Sequence, residues 1–153
     1  ENNLRSGTEN VPAIVGMARA LEIAEKEKKE ESERLKKLRD YFINEILSKI
    51  PGAILNGPKG KGDNRLPNNI NVSLPGLDAE RAILELEKRG ICASSGSACS
   101  SRESTSSHVL RAIGRSEKMA RSAMRFSLGR ITTKKDLDRT VEALSKITKT
   151  MQT

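Results

Sequence analysis

The chain has 153 residues, which allows one domain with a sizeable core and makes a second full domain unexpected. Charged residues make up 31% of it and hydrophobic residues 35%, and this hydrophobic share exceeds that of disordered chains. No apolar run approaches the roughly 20 residues that span a bilayer. The net charge of +8 would attract nucleic acid or an acidic partner, but positive and negative charges are interleaved over residues 25–39, which is typical of a solvated helix face. Only three residues are aromatic, so there is no platform on which bases could stack. We therefore expect a soluble protein with no membrane partner and no specific nucleic-acid partner.

Two cysteines, Cys92 and Cys99, are too few for a disulfide framework or a four-cysteine metal site. This count fits a reducing compartment, so we predict a cytoplasmic protein without a metal. The sequence opens on Glu1 instead of Met and shows no basic and apolar signal segment. These features suggest a processed, truncated or split product.

Apolar residues at helical spacing predict one long helix, or two joined helices, over residues 11–50. A charged stretch separates two apolar stripes in this segment, which favours a helix that bridges two bodies. Unbroken, it would be about 60 Å long, more than one small domain can cover. We therefore assign 1–50 as a linking segment and long interdomain helix, with one end packed on a body outside this chain.

The remainder, 51–153, is predicted to form a small α+β domain. Alternating or short apolar runs predict strands at 70–74, 91–93 and 123–128, with a further short strand at 53–55. Helices are predicted after Asp78, after Ser107, after Ser116 and after Thr133. The order strand, helix, strand over 70–93 resembles a crossover unit. We predict a small, mainly antiparallel, three-stranded sheet packed with helices and preceded by the long linking helix.

The segment 93–107 is the most informative part of the chain. Eight of its fifteen residues are serine, and it places Cys99 among side chains too small to bury it. This composition predicts a mobile surface loop that presents a reactive thiol, although a free thiol with a pKa near ~8.5 is mostly protonated at pH 7. Cys92, next to Ile91 in a predicted strand, is interpreted as an inert buried residue.

Two other residues, Arg125 and Thr8, are candidates for binding, and a third, His108, is not. Arg125 lies on a predicted strand between apolar neighbours, so its guanidinium could grip a carboxylate through two parallel hydrogen bonds, or could simply be solvated. Thr8 belongs to a polar turn that could offer hydroxyls and backbone N–H groups to a phosphate, or could only cap the helix. His108, the single histidine, is interpreted as structural or exposed.

Four segments in this order resemble one known family: RSGTENVP at 5–12, SSGSAC at 94–99, HVLRAIG at 108–114 and RFSLGR at 125–130. Together they are similar to the C-terminal part of cysteine desulfurases of the NifS/IscS type, and the similarity runs along the whole chain. That family has the aminotransferase-like fold type I, uses pyridoxal phosphate, forms homodimers and supplies sulfur for iron–sulfur clusters.

The resemblance implies a role for three residues. Cys99 resembles the nucleophile that takes sulfur from L-cysteine as a persulfide and leaves L-alanine. Arg125 resembles the arginine that anchors the substrate carboxylate, and Thr8 resembles the threonine that reaches the cofactor phosphate of the opposite subunit. The implied partners are a large pyridoxal-phosphate domain, a second copy of the enzyme and an iron–sulfur scaffold protein that accepts the sulfur.

One departure from the family is large. The Schiff-base lysine, in a Ser-x-His-Lys context, has no match in this sequence. We therefore expect this chain alone to be inactive, and to carry the persulfide cysteine for an active site completed by the large domain. The alternative is a standalone sulfur-carrier or scaffold-docking domain, loaded at Cys99 by another enzyme. Nucleic-acid binding, a third hypothesis, rests on the net charge alone.

Overall fold

A computed structural model describes residues 6–58, 64–95 and 107–151 of the chain. The α+β class predicted from the sequence is confirmed. The helices are α1 (Val11–Lys49), α2 (Ala79–Glu87), α3 (His108–Ala112), α4 (Glu117–Arg121) and α5 (Lys134–Met151). The strands are β1 (Ile54–Leu55), β2 (Asn69–Ser73), β3 (Ser94–Ser95) and β4 (Ala123–Ser127).

The long segment forms one continuous helix, α1, of 39 residues. It begins after Asn10, whose side-chain Oδ1 accepts a hydrogen bond from the Ala13 N–H at 3.2 Å. Pro12 in the first turn fits this start, because the N–H that proline lacks would have no partner there. The helix ends before the turn at Pro51 and Gly52, where Gly52 has a φ of 75°.

The four strands form a single antiparallel sheet in the order β1-β2-β4-β3. The sheet therefore has four strands, whereas the sequence predicts three, because the short β1 pairs fully with β2. The strand predicted at 91–93 is also misplaced. Ile91 donates its backbone N–H to the Leu86 carbonyl at 3.0 Å and so completes the end of α2, which delays β3 until Ser94.

The crossover predicted between 70 and 93 is confirmed. Strands β2 and β3 are both antiparallel to β4, which lies between them, so they are parallel to each other and α2 connects them. This arrangement brings the start of the serine-rich segment to the edge of the sheet, next to β4. Cys92, predicted to be buried, is exposed because it precedes the strand.

The core lies on one face of the sheet, under the C-terminal half of α1, α2 and α5. It contains Ile70 and Val72 of β2, together with Met124 and Phe126 of β4. Phe42 of α1 meets Phe126 edge to face, with ring centroids 5.3 Å apart. The C-terminal half of α1 thus belongs to this core, and the domain boundary at residue 50 stays a prediction.

The N-terminal half of α1 has a different surface. Its apolar side chains recur at helical spacing yet are exposed: Val11, Ile14, Val15, Met17 and Leu21. We call these residues the exposed stripe. Within the described parts of the chain, no helix is both long and apolar enough to cross a membrane.

Candidate carboxylate-binding site

A row of polar side chains crosses the sheet on the face opposite the core. Asn71 of β2 and Ser94 of β3 are both paired with Arg125 of β4, so the three side chains lie on the same face. Asn56 extends the row beyond β1, since its backbone N–H donates to the Asn71 carbonyl at 2.9 Å. We call Asn56, Asn71, Arg125 and Ser94 the polar row.

Arg125 lies at the centre of this row and is half-buried. Its Nη2 donates to Ser94 Oγ at 3.3 Å. Among residues 6–58, 64–95 and 107–151, no carboxylate forms an ion pair with it. Since an arginine side chain has five N–H donors, the guanidinium retains enough of them to bind a carboxylate through two parallel hydrogen bonds.

Asn56 is the most buried member of the row, with 2% of its surface exposed. Its Oδ1 accepts from Arg115 Nε at 2.7 Å. Its Nδ2 donates to Asn71 Oδ1 and to Ser73 Oγ, both at 2.8 Å. All polar atoms of this amide therefore have partners, as a buried amide requires.

The hydrogen bonds around Asn56 attach the segment from α3 to α4 to the sheet. Arg115, which follows α3, also donates from Nη2 to the Leu55 carbonyl at 2.9 Å. Ser73 Oγ donates to the Met119 carbonyl of α4 at 2.8 Å. A small apolar cluster of Leu110, Ala120 and Ala123 packs beside these bonds. The network holds both short helices against the polar face.

A second arginine, Arg65, contacts the backbone of Asn56. Arg65 Nη2 donates to the backbone carbonyl oxygens of Asn56 at 2.5 Å and of Pro58 at 3.0 Å. Burial, and after it the charge of Arg39, lowers the pKa of Arg65 from its usual value. The polar row is thus supported by cations at its β1 end, and no carboxylate contacts Arg125 within the described residues.

Of the three site residues predicted from the sequence, two are described. Arg125 is on β4, and Thr8 is exposed, just before α1. Cys99 lies outside the described residues, as does most of the predicted loop 93–107. The loop's first strand, β3, and the helix that follows it, α3, are described and contact the same sheet. His108 is exposed at the start of α3.

Thr8 and Arg125 lie far apart in this chain. Thr8 precedes the start of α1 at Val11, whereas Phe42, further along the same helix, contacts the neighbour of Arg125 on β4. The helical rise between Val11 and Phe42 amounts to about 46 Å. The two residues therefore cannot contact one small molecule within a single copy of the chain.

Sequence reasoning missed Asn56, Asn71 and Arg115. The alternation of β2 contained a signal for Asn71, because Ile70 and Val72 on the core face place it on the opposite face. The bond between Arg115 and Asn56 joins residues 59 positions apart, and no local pattern indicates it.

Comparison with known proteins identifies the family. The sequence profile of the class-V aminotransferases matches residues 1–140. The chain belongs to the aminotransferase class-V family. Within this family, it is 47% identical over 153 residues to the cysteine desulfurase IscS of Dictyoglomus turgidum, a match that covers 100% of this chain and 38% of that protein. It is 48% identical over 144 residues to cysteine desulfurase IscS 1 of Archaeoglobus fulgidus, covering 94% of this chain and 37% of that one.

Solved structures agree with this assignment to the class-V aminotransferases. A NifS-like protein superposes with a TM-score of 0.79 at 32% identity, covering 96% of this chain and 36% of that one. A NifS-like protein from Rickettsia africae superposes with a TM-score of 0.76 at 32% identity, covering 94% and 36%. The resemblance to NifS/IscS-type enzymes is confirmed, and the chain spans less than two fifths of the length of these relatives.

Proposed function

We propose that this chain supplies two parts of a cysteine desulfurase: Cys99 as the acceptor of sulfur from L-cysteine, and Arg125 as the anchor of the substrate carboxylate. The proposal is supported most directly by the pairing of Ser94 with Arg125, which joins the cysteine-bearing segment to the anchor. Cys99 follows Ser95 by four residues, which span at most about 14 Å. Cys99 is therefore tethered close to β3, the strand that pairs with Arg125, and we propose that its thiol reaches a substrate held there.

The chemistry assigned to Cys99 is a sulfur transfer. Its thiolate attacks the sulfur atom of L-cysteine, a new S–S bond forms and the C–S bond of the substrate breaks. The electron pair of that bond stays on carbon, which takes up a proton and becomes the methyl group of L-alanine. The sulfur remains on Cys99 as a persulfide for transfer to an acceptor, which we propose is an iron–sulfur scaffold protein.

The cofactor implied by the family resemblance is pyridoxal phosphate. Thr8 is suited to binding its phosphate group. The residue is exposed and follows Gly7, whose φ is 109°, and a threonine hydroxyl can donate a hydrogen bond to a phosphate oxygen. This sequence has no Ser-x-His-Lys segment, so the lysine that would hold the cofactor covalently would come from the large domain. When bound, the cofactor would supply an electron sink for the substrate carbon.

The distance between Thr8 and Arg125 supports an assembly of two copies. Because about 46 Å of helix lies between the two regions, each residue would serve a different active site. In a homodimer, Thr8 would reach the phosphate in the other subunit while Arg125 binds substrate in its own. In this assembly, the large domain or the second copy would cover the exposed stripe of α1.

The test uses the complete protein that contains this segment, loaded with pyridoxal phosphate. After reaction with L-cysteine, mass spectrometry should find one added sulfur atom on the peptide that contains Cys99, together with L-alanine. Cys99→Ser should abolish both the added sulfur and turnover. Cys92→Ser is the matched control, since Cys92 is an exposed thiol close in sequence, and should change neither.

Two results would count against this assignment. Alanine formation at the parent rate by the Cys99→Ser variant would exclude Cys99 as the acceptor. Loading of Cys99 only after a separate desulfurase is added would favour the alternative, a sulfur-carrier domain.

A further inference from the structure

The side-chain amide of Asn71 lies beside Arg125, and a chain of hydrogen bonds fixes its orientation. Arginine only donates, so the Asn56 atom that faces Arg115 must be Oδ1. Nδ2 of Asn56 therefore faces Asn71, whose contacting atom must be the acceptor Oδ1. Both N–H groups of Asn71 Nδ2 are then left as donors.

These two donors have no acceptor in the described parts of the chain. Asn71 is half-buried, so part of its side chain is accessible. Asn71 and Arg125 are direct partners in the antiparallel register, and such pairs have Cβ atoms about 5 Å apart. Two side chains that offer N–H donors thus share one patch of the sheet. A ligand that satisfies both must be rich in acceptors.

We propose that Asn71 is a second donor to the carboxylate that Arg125 binds, with Asn56 and Arg115 as positioning residues that fix its amide. This inference rests on the proposed function, in which that carboxylate belongs to the amino-acid substrate. A carboxylate offers about four lone-pair sites, so it can accept from the guanidinium and the amide together. The orientation set by Asn56 prevents the Asn71 oxygen from facing the negative charge.

The experiment measures ligand binding to the complete, cofactor-loaded protein by equilibrium titration with two ligands. L-Alanine carries the carboxylate, and ethylamine is the same molecule without it. A hydrogen bond to a charged group contributes about 1.5–3 kcal/mol, so Asn71→Ala should weaken L-alanine binding roughly tenfold or more. Binding of ethylamine should change less than about twofold, because the lost bond involves only the carboxylate.

Two further variants separate binding from folding. Asn71→Asp keeps the acceptor for Asn56 and removes the donors, so it should weaken L-alanine binding at least as much as Asn71→Ala. Asn69→Ala is the matched control, because Asn69 is on the same strand and face but pairs with Ser127, and it should leave both ligands unaffected.

If Asn56 positions the amide of Asn71, a change at Asn56 should weaken L-alanine binding although Asn56 does not contact the ligand. In Asn56→Asp, one carboxylate oxygen still accepts from Arg115, but the other faces Asn71 and forces its amide to rotate. L-Alanine binding should then fall as in Asn71→Ala, again without a change for ethylamine. Equal weakening of both ligands by Asn56→Asp would overturn this role.

The outcome for Arg125→Ala distinguishes the two proposals. If Arg125→Ala weakens L-alanine binding and Asn71→Ala and Asn71→Asp leave it unchanged, the inference about Asn71 is wrong and the anchor stands. If Arg125→Ala has no selective effect on L-alanine, the proposed anchor itself is wrong.

Discussion

Ser94 Oγ accepts a hydrogen bond from Arg125 Nη2 across the antiparallel pair of β3 and β4, at 3.3 Å. Ser94 is part of the serine-rich segment that contains Cys99, and Arg125 is the anchor proposed for the substrate. The contact therefore joins, at one position of the sheet, the segment that contains the proposed nucleophile and the proposed anchor. It also orients the guanidinium, because one of its donors is already occupied.

Replacing Ser94 with Ala should loosen this orientation while leaving the thiol intact. A hydrogen bond to a charged group contributes about 1.5–3 kcal/mol, of which only the part that orients the guanidinium affects substrate binding, so KM for L-cysteine should rise up to roughly tenfold with little change in kcat. Steady-state kinetics of the complete protein measure both constants. A fall in kcat at constant KM would show that Ser94 acts on the chemical step instead.

Asn56 should be a major determinant of stability. Replacing this buried amide with Ala leaves Arg115 Nε and Asn71 Oδ1 without their partner and removes the donor to Ser73 Oγ, which keeps its own bond to the Met119 carbonyl. The free energy of unfolding should fall by about 2–4 kcal/mol, as measured by urea denaturation. Asn69→Ala, on the half-buried part of β2, should change it by less than about 0.5 kcal/mol.

Tyr41, which lies outside the site, should make the stability of the fold depend on pH. The hydrogen bond from its hydroxyl to Asp138, with smaller effects of burial and of the Asp138 charge, raises the pKa of Tyr41 to about 12. The folded state retains the phenolic proton more tightly than the unfolded state does. The stabilisation is therefore complete below pH ~10 and is lost as the pH rises towards about 12.

Absorbance of the tyrosinate measures this titration, and the difference between the parent and Tyr41→Phe isolates the signal of Tyr41. Asp138→Asn should bring the midpoint back towards ~10, the ordinary value for tyrosine. A parent midpoint near the ordinary value would exclude the bond to Asp138 in solution.

The exposed stripe on α1 should act in assembly and contribute little to this domain. Leu21 is 63% exposed here, so Leu21→Glu should leave the core of the sheet intact. If the stripe is covered in the complete protein, loss of the buried leucine removes about 1.5–3 kcal/mol of interface stability. Sedimentation should then detect weaker association of subunits, or fluorescence a lower cofactor content. An unchanged assembly would show that the stripe stays solvent-exposed.

The helices and strands whose apolar residues recur at regular spacing were predictable from the sequence. α1 and β2 follow from the spacing of their apolar residues, and the crossover from β2 through α2 follows from their order. The start of β3 was not predictable, because the hydrogen bond from Ile91 to the end of α2 depends on three-dimensional geometry. The exposure of Cys92 follows from that same shift and was therefore missed as well.

The position of Arg125 on the face opposite the core was predictable from its place between apolar neighbours, whereas the roles of Arg125, Thr8 and Cys99 come from the family motifs and stay predictions. The network around Asn56 was not predictable, since it joins residues that are distant in sequence through a buried amide. Polar side chains of this kind do not recur at regular spacing, and only the three-dimensional contacts show that they are hydrogen-bonded to one another.

The joint action of Cys99 and Arg125 is tested by measuring persulfide formation on Cys99 against L-cysteine concentration, in the complete parent protein and in Arg125→Ala. Loss of a charged, two-point hydrogen bond should raise the concentration needed for half-maximal loading roughly a hundredfold, and saturating L-cysteine should still load Cys99. An unchanged half-maximal concentration in Arg125→Ala, or no sulfur on Cys99 in the parent at any concentration, would contradict the account.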